Sequence, residues 1–193
     1  MSDEINEETI VEQADQLHKQ GFEFQEQRDF ESALETWQQE IELRKQLPLD
    51  NFEYRNDLAS AYNSCGYVLC DNLNRFEEAV SYFQEEIKLC KQLPLVKSKY
   101  CHGLAISYYN CGNALLGLKH FEAAIIYYQK AIELGKALPL DKPYYRFWFS
   151  SFHYSYGKTL EGLRRFEEAI NYYQQTIELR KQLPLDNHDI TMN

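Results

Sequence analysis

Residues 104–140 read LAISYYNCGNALLGLKHFEAAIIYYQKAIELGKALPL, and the apolar spacing in this stretch decides the fold. Leu104, Tyr108, Cys111, Leu115 and Leu118 fall at i, i+4, i+7, i+11 and i+14. That spacing lays one apolar stripe along a helix, helix A. Leu118-Lys119-His120 makes a short turn. Phe121, Ala124, Ile125, Tyr128, Ile132 and Leu138 then lay a second stripe along helix B. Pro139 stops helix B, because its ring removes a donor and pushes the preceding residue out of the helical region. Leu138 and Leu140 flank the proline and pin the exit against the core. Asp141 is placed to cap the next helix.

The same unit is written four times. The phrase I-x-L-x-K-x-L-P-L recurs at Ile41–Leu49, Ile87–Leu95, Ile132–Leu140 and Ile177–Leu185. Each copy follows an aromatic-led stretch starting at Phe30, Phe76, Phe121 or Phe166. Gly21, Gly66, Gly112 and Gly157 stand 45, 46 and 45 residues apart. A fixed period of this size marks a repeat array. The repeats are expected at about 6–50, 51–96, 97–141 and 142–186, with a tail at 187–193. The one extra residue of the second copy lies between Gly66 and Phe76, and is expected to lengthen the A–B turn around Asp71–Asn74. A glycine inside a helix costs roughly 0.5–1 kcal/mol relative to alanine, so a repeated one predicts a packing role: close approach of A and B.

Formal net charge is −10, and a nucleic-acid partner is not expected without a basic footprint. Residues 1–29 carry nine acids against Lys19 and Arg28. They read as a solvated first helix or an acidic docking surface. The five cysteines, Cys65, Cys70, Cys90, Cys101 and Cys111, form no CxxC pair. Cys65 and Cys111 share one slot, one residue before the glycine, as small buried hydrophobes do. That usage fits a reducing, cytoplasmic compartment. The acidic N-terminus does not read as a signal peptide, and no apolar run approaches the ~20 residues of a membrane helix. No phosphate loop, HExxH or Gly-x-Ser-x-Gly is present, so neither enzyme activity, metal nor cofactor is expected. His153 sits on a core stripe and reads as a packing histidine. Glu77-Glu78 and Glu167-Glu168 follow helix starts, where the dipole favours acids.

Residues 108–134 resemble the tetratricopeptide repeat (TPR). Tyr108, Gly112, Leu115, Ala124 and Tyr128 stand at the family's offsets for a bulky residue, a small one, an aromatic or leucine, an alanine and an aromatic. The period is longer than the usual 34, in the style of kinesin light chain repeats. The small residue that the family places late in helix B is Ala131 or Thr176 in the last two copies, but Glu40 and Glu86 in the first two. The resemblance implies an all-α fold, a right-handed α-solenoid of four helix–turn–helix repeats. It implies a non-catalytic protein–protein interaction module, an adaptor or scaffold holding a protein or peptide in a concave groove lined by helices A. The groove positions are His18 and Phe22, Asn63 and Tyr67, Tyr109 and Asn113, and Tyr154 and Lys158. Many family members hold a C-terminal carboxylate with a lysine–asparagine clamp. The clamp positions here read His18, Phe22, Ser64, Ile106 and Asn110 in one frame, and Asn63, Tyr67, Asn110, Ser151 and Ser155 in the other. Without the cations, no clamp is expected.

Terminal repeats need a polar outer face. The first helix has Gln13, Gln20 and Gln27 where internal copies are apolar, keeping only Leu17 and Phe24. The fourth helix B keeps Phe166, Ile170, Tyr173, Ile177 and Leu183. That bare stripe pairs with a second chain as a two-fold dimer, continues into a longer array, or is tolerated as it stands.

Overall fold

The computed structural model describes residues 6–184. Eight α-helices follow in order: α1 Glu7–Glu26, α2 Phe30–Arg44, α3 Phe52–Tyr67, α4 Phe76–Cys90, α5 Ser98–Gly117, α6 Phe121–Gly135, α7 Pro143–Gly162 and α8 Phe166–Lys181. No strand occurs among the described residues. The tail at 187–193 and Leu185 lie outside them. The fold is an all-α helical repeat, with odd-numbered helices as A and even-numbered helices as B. The chain gathers into two compact units, Met1–Leu93 and Pro94–Asn193.

In the first unit α2 packs against both α1 and α3, and α4 packs against α3. Gln13 and Gln20 of α1 and Gln27 at its C-cap are exposed, while Ile10, Ala14 and Gly21 face inward. In the second unit α6 packs against both α5 and α7, and α8 packs against α7. The predicted stripes are the core here: Leu104, Tyr108, Cys111 and Leu115 on α5, and Phe149, His153, Tyr156 and Leu160 on α7, are all buried. All five cysteines are buried thiols. Burial pushes the Cys65 thiol well above its usual range.

The A–B turns share one backbone solution. Arg28, Asn74, Lys119 and Arg164 all take φ between 55° and 62°, the left-handed region. Behind them Asp29, His120 and Arg165 donate backbone N–H groups to the carbonyls of Phe24, Leu115 and Leu160, each at 2.9 Å. This 6→1 bond closes the helix end and satisfies a carbonyl that would otherwise be orphaned.

Three details differ from the sequence expectation. The extra residue of the second copy does not lengthen the turn. It is taken up inside helix A as a π-helical turn, Val68–Asn72, closed by Leu73 N–H on Val68 O at 3.0 Å. Asn74 then occupies the same left-handed position as its equivalents. The B helices end well before the proline: α6 stops at Gly135, and a tighter turn with Leu138 N–H on Gly135 O at 3.2 Å carries the chain onward. The cap of α7 is Lys142 rather than Asp141, because Pro143 takes the first helical position. The connector leucines do pin the exit: Leu138 packs with Cys101 and Tyr145, and Leu134, Leu140 and Tyr144 close around them.

The repeated glycines have a steric cause. A Cβ at Gly21 would stand 2.3 Å from Trp37, at Gly66 2.6 Å from Phe83, at Gly112 2.8 Å from Tyr128, and at Gly157 3.0 Å from Tyr173. Each glycine is the notch that seats a helix-B ring on helix A. Trp37, Phe83 and Tyr128 are among the most deeply buried side chains. Gly103, on the same helix as Gly112, has nothing within 4 Å of a Cβ. The two therefore predict opposite outcomes. Gly112→Ala overpacks Tyr128 and should destabilise by about 1–3 kcal/mol. Gly103→Ala should stabilise by about 0.5–1 kcal/mol, because it only removes glycine's backbone freedom. Thermal melts of the two variants check this; like-signed shifts would overturn the notch.

Candidate partner-binding face

The expected groove residues divide between the two units, and their environments differ. In the first unit they are held by buried acids. Glu40 on α2 is 0% exposed, yet it has partners on both sides. Its Oε2 lies 3.1 Å from His18 Nδ1, and its Oε1 accepts from Arg44 Nε at 2.7 Å. Arg44 Nη2 reaches Asp15 at 2.8 Å, and Nη1 stands 3.6 Å from Asp57. Burial works against the charge of Arg44, but its hydrogen bonds to Glu40 and Asp15 outweigh that and raise its pKa. Removing one partner of such a buried pair costs about 3–5 kcal/mol, because the other charge stays behind unpaired. Glu86 on α4 repeats the device: Asn63 Nδ2 donates to Oε1 at 3.1 Å and to Oε2 at 3.0 Å.

His18 and Asn63 are thus anchored side chains with one face inward. Next to each stands an exposed ring. Phe22 and Tyr67 are both 44% exposed. The Phe22 ring meets Trp37 edge-on at 5.2 Å and His18 at 5.0 Å, so it is propped against the repeat rather than loose. Trp37 Nε1 donates to His18 O at 3.3 Å.

In the second unit the acids give way to Ala131 and Thr176, and the A-helix positions of His18 and Asn63 are held by Tyr109 and Tyr154. Tyr109 is half-buried against Phe152 at 5.4 Å, with Tyr128 and Trp148 both at 6.0 Å. Asn113 Oδ1 accepts from Tyr128 Oη at 2.7 Å, which ties it to the core ring. Tyr154 is 45% exposed, and the Arg180 guanidinium lies 5.7 Å above its ring. Lys158 is exposed. The structure therefore leaves Tyr154 and Lys158 outward and makes Tyr109 and Asn113 part of the packing.

Sequence reasoning missed several residues at this face: Arg44, Arg180, His102 and Trp148. Trp148 joins Tyr109 to His102, whose Nε2 lies 2.9 Å from Tyr144 Oη. The signal for Arg44 and Arg180 was present in the repeated IELRK, where the third copy has Gly135 instead. Glu40 and Glu86 were visible as departures from the small-residue rule, without the donors that explain them.

The expected self-association stripe on α8 is partly bare. Phe166, Ile170 and Ile177 are 53–56% exposed, whereas Ile125 and Ile132 at the equivalent places on α6 are buried under α7. Tyr173 and Leu183 do not belong to the bare face. Tyr173 is seated on Gly157 and donates its hydroxyl to Glu161 at 2.7 Å; Leu183 is half-buried.

A tetratricopeptide-repeat family model matches residues 57–137, and a second tetratricopeptide-repeat model matches residues 150–183. Together they span more than half of the sequence, and the chain belongs to the tetratricopeptide-repeat family. Three solved structures share the fold. BtubC (BKLC) from P. vanneervenii superposes with a TM-score of 0.70 at 14% identity, over 93% of this chain and 69% of that one. The apo form of RapI gives 0.75 at 16% identity, over 92% of this chain and 45% of RapI. A putative kinesin light chain from Podosopora anserina, with nearly identical TPR-like repeats, gives 0.62 at 15% identity, over 91% and 79%. No curated protein matches the sequence significantly. Among the described residues no helix is long and apolar enough to cross a membrane, and no group of three or more His, Cys, Asp or Glu could hold a metal ion.

His102 and His153 lie within the second unit's core, and burial holds both pKa values down to about 4, with the Lys136 charge adding to the effect on His153. The unfolded chain protonates them near 6.5. Their contribution to stability is therefore complete above that pH and is lost as pH falls toward 4. Each histidine should add a slope of about 1.4 kcal/mol per pH unit in this window. Melting temperature followed from pH 7 to pH 4 should fall more steeply in wild type than in His102→Gln/His153→Gln; parallel curves would overturn this account.

Proposed function

We propose that the protein is a non-catalytic cytoplasmic adaptor that holds a segment of a partner protein on the outward faces of its A helices. The observation that carries this reading is that Phe22, Tyr67 and Tyr154 remain 44–45% exposed on those helices, while the helix-B rings Trp37, Phe83 and Tyr128 are sunk into glycine notches. Large rings left outward and propped by neighbours supply contact area at low entropic cost. Family membership supports a protein–protein interaction role; the particular face is our reading.

The test uses residues whose loss spares the fold. Tyr109 and Asn113 are tied into the core, so Tyr154→Ala/Lys158→Ala is the better pair. Affinity capture from native lysate, wild type beside this variant and beside Phe22→Ala/Tyr67→Ala, should show a protein retained about tenfold less by one or both variants at unchanged melting temperature. Partners indifferent to both pairs would overturn the reading.

A second reading is self-association through α8, favoured by the exposure of Phe166, Ile170 and Ile177. Light scattering coupled to size exclusion at tens of micromolar should then show a dimer that Ile170→Glu/Ile177→Glu converts to monomer. A monomeric wild type would end this alternative.

A further inference from the structure

We infer that the bare face of α8 docks an amphipathic helix of a partner protein, one that carries a carboxylate opposite Arg180. This surface is distinct from the A-helix face proposed above and does not depend on that reading. The inference names for α8 an occupant other than a second copy of the chain.

The molecule contains the same surface in a covered form. The stretch IELRKQLP occurs at 41–48 and again at 177–184, and α2 and α8 align from Phe30 and Phe166 onward. Their exits fold alike: Leu47 N–H donates to Arg44 O at 3.2 Å, and Leu183 N–H to Arg180 O at 3.0 Å. The ion pairs Glu42–Lys45 and Glu178–Lys181 both span 2.7 Å. On one side α1 packs against α2 as α7 packs against α8. The other side differs. Helix α3 lies on α2, where Leu34 and Ile41 are each 3% exposed. Ile170 and Ile177, the matching residues of α8, are 55% and 53% exposed. What α8 lacks is therefore a helix in the place of α3, and an apolar stripe at this spacing is the groove that an amphipathic helix fills.

An arginine sets the charge of that helix. Arg44 is held by Glu40 at 2.7 Å, by Asp15 at 2.8 Å and, from α3, by Asp57 at 3.6 Å. At the positions of Glu40 and Asp15 the fourth repeat has Thr176 and Ser151, whose hydroxyls donate to backbone carbonyls. Arg180 is exposed and has no carboxylate partner among the described residues. Its guanidinium lies 5.7 Å above the Tyr154 ring, and Nε donates to Ser150 Oγ at 3.3 Å. A guanidinium propped in this way offers its remaining N–H groups as a fork that fits a carboxylate. The acid then comes from the covering helix, as Asp57 comes from α3 beside the buried Leu58, Ala61 and Cys65. A second copy fits this face less well. The stripe of its α8 has Phe166, Ile170, Gln174, Ile177 and Lys181 and no acid, and its α1 turns Gln13 and Gln20 outward. Complementary interfaces avoid such unmatched charge.

The experiment is fluorescence anisotropy on the full chain, with α3 itself as the probe. A fluorescein-labelled peptide of residues 51–67 carries Cys65→Ser and a staple across positions 60 and 64, so that it is helical before it binds. Wild type should bind it about tenfold more tightly than the same peptide with Asp57→Lys. Arg180→Glu should invert that order, and Ile170→Glu/Ile177→Glu should release both peptides. Arg164→Glu, an exposed change in the turn before α8, controls for bulk charge and should keep the preference within about twofold. All four positions are exposed, so the variants should melt as wild type does. Phe22→Ala/Tyr67→Ala, on the A-helix face, should bind the peptide as wild type does; loss there would place the peptide on the first unit and overturn the inference. A wild type that binds neither peptide, or both alike, overturns it, as does an Arg164→Glu variant that behaves like Arg180→Glu. A wild type that is dimeric by light scattering, turns monomeric in Ile170→Glu/Ile177→Glu and ignores the peptide assigns α8 to a second copy, and that too overturns it.

Discussion

Seating a helix-B ring in a helix-A glycine notch is the contact on which the rest of this architecture depends. With Gly112 and Tyr128 the approach is so close that even a methyl group would collide with the ring at 2.8 Å. The notch fixes the separation and the rotation of the two helices together, because the ring must meet one particular turn. Once that is set, Leu104, Tyr108, Cys111 and Leu115 are carried into the interior as a block. A glycine in mid-helix is unfavourable by about 1 kcal/mol, and dense packing around a buried ring offsets it. The same logic recurs between pairs in the second unit, where Gly135 receives Phe149 and Gly162 receives Phe121.

Beside this lock sits a second set of positions that obeys a simpler rule: whatever helix B buries, helix A must satisfy. Glu40 is matched by His18 and Glu86 by Asn63, each a donor. Where helix B has Ala131, helix A carries Tyr109, whose ring packs on Phe152 of the next A helix at 5.4 Å. The first unit thus uses polar pairs at these positions and the second uses rings. The pairing therefore lets the outward chemistry of a repeat change while its helices stay where the glycine notch puts them.

Much of this was legible in the sequence. Eight helices, their pairing, the pinning leucines and the packing role of glycine all follow from a period of 45 and the 3.6-residue stripe, because burial of an amphipathic face dominates helix placement. What was not legible lay in backbone detail and in polar partners. The extra residue between Gly66 and Phe76 announced itself by count, but nothing local distinguished a longer turn from a π-helical turn. The π-helical turn keeps Asn74 in the left-handed region, and the closing bond spans one residue more, from Arg75 N–H to Leu69 O at 2.8 Å. Asp141 looked like a cap, yet Pro143 is pre-organised for the first helical turn and sets the boundary one residue later. Tyr173 read as part of a bare stripe because its spacing matched, whereas its ring is committed to Gly157. Glu40 and Glu86 broke the family's small-residue rule, and a break in one column is explained only by a residue some twenty positions away.

This separation of labour bears on how such a chain acquires a partner. The notch contacts use backbone, glycine and ring carbon, and they are indifferent to the charge of the solvent-facing side chains. The A-helix positions can then be acidic in one unit and basic and aromatic in the other without touching the packing, as α1 and α7 demonstrate. The constraint falls only on residues that look both ways. His18 and Asn63 face a buried acid on one side and solvent on the other, so a change made for a ligand is also a change to the core. Lys158 carries no such double duty, and Tyr154 touches the notch only through its ring contact with Tyr173 at 5.8 Å. Specificity written at the first pair is held in place by the fold, and specificity written at the second can be rewritten at little expense to stability.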